Sequence, residues 1–249
     1  MTKKFKIYLL KIFIVFFYLT PVNAEFDIKA RTAILQDYYS GEILYEKDPD
    51  QSIYPASMTK IMTSIIAFEM LRSGDIDLSD KFMVSENAWR LSQAGFSSMF
   101  IMVGDEVSVE NLLKGIIVAS GNDACIVVAE ALGGTEENFA QMMTERAHEL
   151  GLDSASFANA TGWPDPDHRI SALDLARLAR HIIQSYPQYY DIYSETEFTY
   201  NGIRQYNRNP LIGVFDGADG LKTGHTEESG YGLVASAERD GVRRFAKLE

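Results

Sequence analysis

A chain of 249 residues with 46% hydrophobic and 23% charged side chains can bury a sizeable core, and it carries neither repeats nor low-complexity tracts. Its net charge of −12, from 35 acidic and 23 basic residues, excludes the basic patch that a phosphate backbone requires, so no nucleic-acid partner is expected. One cysteine excludes a disulfide framework, and four scattered histidines without His-x-His or Cys-x-x-Cys spacing leave no metal site to expect.

The chain opens with Lys3, Lys4 and Lys6, an apolar run over 7–18 broken only by Lys11, and the small-residue ending Val22-Asn23-Ala24. That order reads as a secretory signal peptide over 1–24, too short for a comfortable membrane span; an uncleaved N-terminal anchor is the other reading. Either way the rest is exported. Cleavage would remove four lysines and no acid, leaving a net charge of −16. Cys125, set in Ala-Cys-Ile-Val-Val, reads as an inert buried thiol.

Residues 32–36 and 43–45 read as short strands joined through Tyr39-Ser40-Gly41. Pro55 then breaks the chain, and Ser57 stands at the start of a helix carrying Ile61, Met62, Ile65, Ile66, Phe68 and Leu71, closed by Gly74. Lys60 is one turn on and shares a face with Ser57. Such a helix is apolar almost all round and therefore buried; burial disfavours a charged lysine, and a neutral Lys60 could take the serine proton. Taken alone, the pair reads more simply as an N-cap serine and a solvated lysine.

Residues 76–82 read as a polar connection, and 83–108, without clear periodicity, as either a functional or a covering loop. Helices follow over 109–119 and 124–132, with Ser120-Gly121-Asn122-Asp123 between them. The simplest account of that turn makes Asn122 or Asp123 the next N-cap; the other aims it at a cleft. An amphipathic helix covers 135–150, a loop 157–169, and Ser171 with Asp174 opens another helix. After Pro187, Asn201-Gly202 marks a hairpin, and strands cover 231–237 and 242–246 around Asp240-Gly241. Lys222-Thr223-Gly224 sits on a strand, where an ammonium, a hydroxyl and a residue without a side chain would let an extended substrate lie close with its anionic end at the lysine. A strand-end lysine beside a turn glycine is the plain alternative.

Ser57-x-x-Lys60, Ser120-Gly121-Asn122 and Lys222-Thr223-Gly224 fall in the order and approximate spacing of the active-site-serine penicillin-binding proteins and β-lactamases. Pro-Ala-Ser-Met-Thr-Lys, Ser-Gly-Asn-Asp-Ala-Cys, Phe-Thr-Tyr-Asn-Gly-Ile-Arg-Gln and Asp-Gly-Leu-Lys-Thr-Gly-His-Thr extend the likeness across 26–246, and the whole resembles the low-molecular-weight D-alanyl-D-alanine carboxypeptidases. The resemblance implies an α/β fold: an antiparallel sheet flanked by helices, with an all-helical lobe over about 75–170 carrying Ser120-Gly121-Asn122. Strands at both chain ends must then share one sheet.

The same resemblance implies that Ser57 attacks the bond between two terminal D-alanines of a peptidoglycan stem peptide. Lys60 would act as base and Ser120 as proton relay. Asn122 would hold the acyl amide or orient Lys60, Lys222 and Thr223 would bind the terminal carboxylate, and Gly224 would be part of the substrate-binding strand. Arg208 would assist from its Asn-Arg-Asn stretch, and the N–H groups of Ser57 and His225 would form the oxyanion hole. β-Lactams are expected to acylate Ser57, and no cofactor is expected. Action outside the inner membrane follows, in the periplasm.

One departure concerns the end of the chain: it stops at Lys247-Leu248-Glu249, inside the last expected strand, without the small β domain and membrane-binding helix that members of the family carry. Membrane attachment is thus expected only in a longer parent chain, peripheral to the inner membrane, and a shortened strand is expected to leave a sheet edge unpaired. A β-lactamase, a D,D-endopeptidase and a weakly active penicillin-binding scaffold are the alternatives. No Glu-x-x-Leu-Asn-like segment lies between Ser120 and Lys222, and the carboxypeptidase is preferred.

Overall fold

A computed structural model describes residues 28–93 and 96–249; the signal-peptide reading of 1–24 lies outside the described residues. The elements in chain order are β1 (Ala33–Asp37), β2 (Ile43–Lys47), β3 (Ser52–Ile53), α1 (Lys60–Ser73), β4 (Lys81–Met83), α2 (Glu86–Gln93), β5 (Glu106–Ser108), α3 (Val109–Ile117), α4 (Asn122–Gly133) and α5 (Glu136–Glu149). After them come β6 (Ile170–Ser171), α6 (Ala172–Ser185), α7 (Pro187–Tyr190), β7 (Glu197–Tyr200), β8 (Ile203–Tyr206), β9 (Ala218–Thr226), β10 (Gly230–Arg239) and β11 (Val242–Leu248).

Both ends of the chain build one antiparallel sheet in the order β2-β1-β11-β10-β9. β11 lies between β1 and β10, pairing Ala33 with Leu248 on one side and Leu233 with Leu248 on the other. The expected unpaired edge at β1 is therefore not found: β11 spans all of β1, and Glu249 N–H closes on the Thr32 carbonyl at 3.1 Å. β9 is an edge strand, and it carries Lys222-Thr223-Gly224.

α1 is the hub. Its residues from Lys60 to Phe68 are buried on every side, as an apolar sequence without a polar face demands. Gly74 ends it in the left-handed conformation at φ 81°, where its N–H reaches the Met70 carbonyl and a side chain would be strained. α3, α4, α5 and α6 all pack against α1, and Phe68, Ile116, Phe139 and Leu178 belong to one continuous core. Ser171 caps α6 by accepting from Asp174 N–H; Asp174 turns its carboxylate to Ser154 instead of returning the bond.

The stretch read as irregular between 76 and 108 holds α2 and the paired β4 and β5. These elements are short: α2 is eight residues long and buries Ala88 and Ser92, and each of the two strands is three residues long and is defined by its partner. The Asn201-Gly202 turn joins β7 to β8 as expected.

Candidate active site

Pro55 leads into a single 3₁₀ turn, Ala56–Thr59, closed by Met58 N–H on the Pro55 carbonyl at 3.1 Å. Ala56 has φ 47°, a left-handed conformation that costs a non-glycine residue about 1–3 kcal/mol and is held by its surroundings. Ser57 follows it and caps no helix; its hydroxyl accepts from Lys60 Nζ at 2.9 Å. The reading of this pair as a cap and a solvated lysine therefore fails. Lys60 is 1% exposed, and burial holds its amine below the ordinary lysine range.

Lys60 Nζ also donates to Asn122 Oδ1 at 2.7 Å and to the Thr161 carbonyl at 2.6 Å. Those two oxygens only accept, so they fix two of the nitrogen's tetrahedral positions as N–H. The third faces Ser57. In the neutral amine that position is a lone pair aimed at the serine hydroxyl.

Asn122 is the first residue of α4, and its cap is Gly121, not Asn122 or Asp123. A Cβ at Gly121 would lie 2.8 Å from Asp123 Oδ1 and 3.2 Å from Met99 N, which is why the turn needs glycine. Asp123 is fully buried and clasps the preceding loop: it accepts from Ser98 Oγ at 2.7 Å, Met99 N–H at 3.0 Å and Phe100 N–H at 3.1 Å. Ser120, at φ 60°, accepts from Lys222 Nζ at 3.0 Å. Burial first, and the neighbouring Lys60 second, push the Lys222 amine well below its ordinary range.

On β9, Gly224 lies against the turn that carries Ser57; a Cβ there would sit 2.8 Å from the Pro55 carbonyl oxygen and 3.2 Å from Ser57 N. The His225 ring stacks on Tyr231 at 4.0 Å. Arg208 is braced on both sides: Asn207 Nδ2 donates to the Tyr193 and Glu195 carbonyls, and Asn209 Nδ2 to the Gly220 carbonyl at 2.7 Å. Ser57, Ser97, Ser120, Arg208, Thr223, Gly224 and His225 line one cleft of about 540 Å³. All nine residues singled out from the sequence thus converge, five through hydrogen bonds around the two lysines and four as cleft wall. A groove of similar size crosses the sheet over Ala235, Ala237 and Ala246, and none of these nine residues lines it.

Sequence reasoning missed the supports. The Thr161 carbonyl is a backbone atom and has no signature. His168, 1% exposed, lies 2.8 Å from Thr59 Oγ1 through Nε2 while Ala158 N–H donates to Nδ1, so Nε2 carries the proton and donates to the threonine. Burial lowers its pKa to about 4. Flanked in sequence by Asp165, Asp167 and Arg169, it resembles a solvated loop histidine. Cys125 is fully buried, and burial pushes its thiol up to about 12, as an inert thiol requires.

A serine bonded to a buried lysine at the junction of helices and sheet, faced by a serine–lysine pair from a turn and an edge strand, defines the class of the active-site-serine penicillin-binding proteins. The family model described as D-alanyl-D-alanine carboxypeptidase matches residues 19–246, and the chain belongs to that family. D-alanyl-D-alanine carboxypeptidase DacA of Haemophilus influenzae is 44% identical over 225 residues, 89% of this chain and 57% of that protein. The chain therefore spans little more than half the length of that relative. Penicillin binding protein 5 from Haemophilus influenzae has the same fold with a TM-score of 0.86 at 42% identity, covering 89% of this chain and 65% of that one. Penicillin-Binding Protein D2 from Listeria monocytogenes, solved in an ampicillin-bound form, gives a TM-score of 0.79 at 28% identity over 88% of each chain.

Proposed function

We propose that this chain is the catalytic domain, over residues 25–249 behind a signal peptide of 1–24, of an exported serine D-alanyl-D-alanine carboxypeptidase acting on peptidoglycan stem peptides in the periplasm. The observation that carries the reading is the geometry at Lys60, whose Nζ is held by Asn122 Oδ1 and the Thr161 carbonyl with its remaining position turned to Ser57 Oγ. Ser57 Oγ attacks the carbonyl between the two D-alanines as Lys60 takes its proton. The resulting oxyanion is met by the N–H groups of Ser57 and His225. Collapse breaks the C–N bond, the proton passes through Ser120 to the leaving amine, and D-alanine departs. Water then hydrolyses the ester, which regenerates Ser57.

Lys222, Thr223 and Arg208 receive the terminal carboxylate, with Gly224 allowing the substrate backbone to run along the free edge of β9. Among the described residues no carboxylate hydrogen-bonds to the buried Lys60 or Lys222 amine, and an anionic substrate end is attracted to that side of the cleft. A β-lactam offers the same carboxylate and a strained amide, so it acylates Ser57 by the same route. Family membership and the ampicillin-bound relative support this.

The test is intact mass of residues 25–249 after benzylpenicillin, together with D-alanine release from a diacyl-Lys-D-Ala-D-Ala peptide. A single penicilloyl adduct and release of D-alanine are expected. An adduct without release would reject the carboxypeptidase in favour of a scaffold or endopeptidase.

A further inference from the structure

The Thr161 carbonyl that holds Lys60 belongs to a turn over 159–163, and that turn is built around a side chain the reaction sequence does not use. Asn159 Oδ1 accepts from Thr161 N–H at 3.2 Å, Thr161 Oγ1 at 3.0 Å, Gly162 N–H at 2.8 Å and Trp163 N–H at 3.0 Å. Its Nδ2 donates to the Trp163 carbonyl at 3.0 Å. Three of the four donors are backbone N–H groups, which only an oxygen can serve, so the bonds themselves settle which end of the amide is which.

The shortest of these bonds bears directly on the lysine. Thr161 C=O and Gly162 N–H belong to one planar trans peptide unit and point in opposite directions. Holding Gly162 N–H on Asn159 therefore turns the Thr161 carbonyl the other way, to Lys60 Nζ at 2.6 Å. Engaging the N–H also polarises the unit and makes its carbonyl the stronger acceptor. Gly162, at φ 85°, seats this peptide against the turn that carries Ser57: a Cβ there would lie 2.9 Å from Thr59 Oγ1 and would overlap the Ala56 carbonyl. The same turn is anchored independently of Asn159, by Thr63 Oγ1 on the Ala160 carbonyl at 2.7 Å and by Ala160 N–H on Glu136 Oε1 at 3.0 Å. Losing the Asn159 amide thus frees the peptide plane and leaves the loop attached.

Resting on the reading of Lys60 as the base for Ser57, we infer that Asn159 is a positioning residue for acylation: by holding Gly162 N–H it keeps the Thr161 carbonyl on Lys60 and the amine's remaining position on Ser57. The charged and titratable groups that act on Lys60 or are acted on by it are Asp123 and Cys125 on α4, Glu136 on α5, Lys222 on β9, Arg208 and His168. None of them bonds to Asn159 among the described residues, so substituting Asn159 leaves them in place. An accepting carbonyl favours the ammonium over the amine, because the charged donor makes the stronger bond. Its withdrawal both misaims Lys60 and lowers the pH above which Lys60 is neutral.

The experiment follows the rate of penicilloyl-adduct formation by intact mass against pH, for the unsubstituted chain, Asn159→Ala and Asn159→Asp, with a urea melt of each. Alanine removes the accepting oxygen, so the plateau rate is expected to fall at least about ten-fold and the acid limb of the profile to move to lower pH. Aspartate keeps that oxygen and gives up only the exposed bond to the Trp163 carbonyl; its plateau is expected to stay within about three-fold of the unsubstituted chain, with the limb moved to higher pH by the added negative charge. A merely structural role would act otherwise, since partial unfolding scales the rate at every pH and leaves the limb where it was. An unchanged plateau or an unmoved limb in Asn159→Ala overturns the inference. If that variant does not fold, Asn159→Asp decides: a folded sample that loses about ten-fold or more overturns the inference, and retention with a raised limb upholds it. The reading beneath is tested separately by the unsubstituted chain: no adduct there rejects the Ser57–Lys60 pair and the inference with it, whereas an adduct that forms equally fast in Asn159→Ala removes only the role of Asn159.

Discussion

At the scale of single residues, the site is governed by desolvation. Lys60 and Lys222 are buried to within 2% of complete exclusion, and a buried ammonium without a bonded carboxylate is unstable relative to the amine. In the proposed mechanism acylation needs Lys60 neutral. The second-order rate of penicilloyl-adduct formation, followed by intact mass, should therefore fall as pH drops through the lowered Lys60 pKa, and Lys60→Ala should nearly abolish it at every pH. Lys222→Ala should act differently. In the proposed mechanism it removes the amine that would face the substrate carboxylate and not the base, so kcat/KM for D-alanine release should drop about 10–100-fold, largely through KM, the worth of one charge-assisted hydrogen bond. A fall in kcat alone would assign Lys222 to the chemistry instead.

At the scale of elements, function depends on how closely an edge strand approaches a helix start. Gly224 brings β9 into contact with the turn that carries Ser57, and the atoms a Cβ would meet are two backbone atoms and the Ala56 Cβ, none of which can swing away. Gly224→Val should separate strand from turn, reducing the acylation rate by at least about 100-fold at a stability cost of about 1–3 kcal/mol. Circular dichroism and a urea melt of the same sample distinguish this from unfolding. Much of this level was legible in the sequence: the α1 pattern, its glycine stop, the β1–β2 and β7–β8 hairpins and the strand bearing Lys222 all appear where local chemistry puts them. α2, β4 and β5 were not legible. α2 is only eight residues long, and β4 and β5 are three residues each and are defined by pairing across more than twenty residues of sequence.

At the scale of the whole molecule, titration links the site to stability. His168 is held at about 4, below the 6.5 of an exposed histidine, so the unfolded chain binds more protons than the folded one across that window. Its contribution is intact above about 6.5 and lost as pH falls towards 4, a change of roughly 3 kcal/mol. Urea unfolding should show stability rising with pH between those limits. His168→Gln keeps a donor for Thr59 and an acceptor for Ala158 without titrating, so it should flatten that slope; an unchanged slope would place the titration elsewhere.

The sequence by itself determined the reactive inventory: a serine and lysine one helical turn apart, a polar turn between apolar helices, and a lysine–threonine–glycine strand. Each is a local pattern, set by residue spacing and by what a helix start or a strand will accept. Only the tertiary structure decided which proton each group holds. Lys60 is aimed at Ser57 by an amide 62 residues away and a carbonyl 101 residues away, and Lys222 is paired with a serine 102 residues distant. Burial that lowers an amine's pKa is a property of the packed interior, and no stretch of chain possesses it until β9, α1 and α4 have closed around the same two nitrogens.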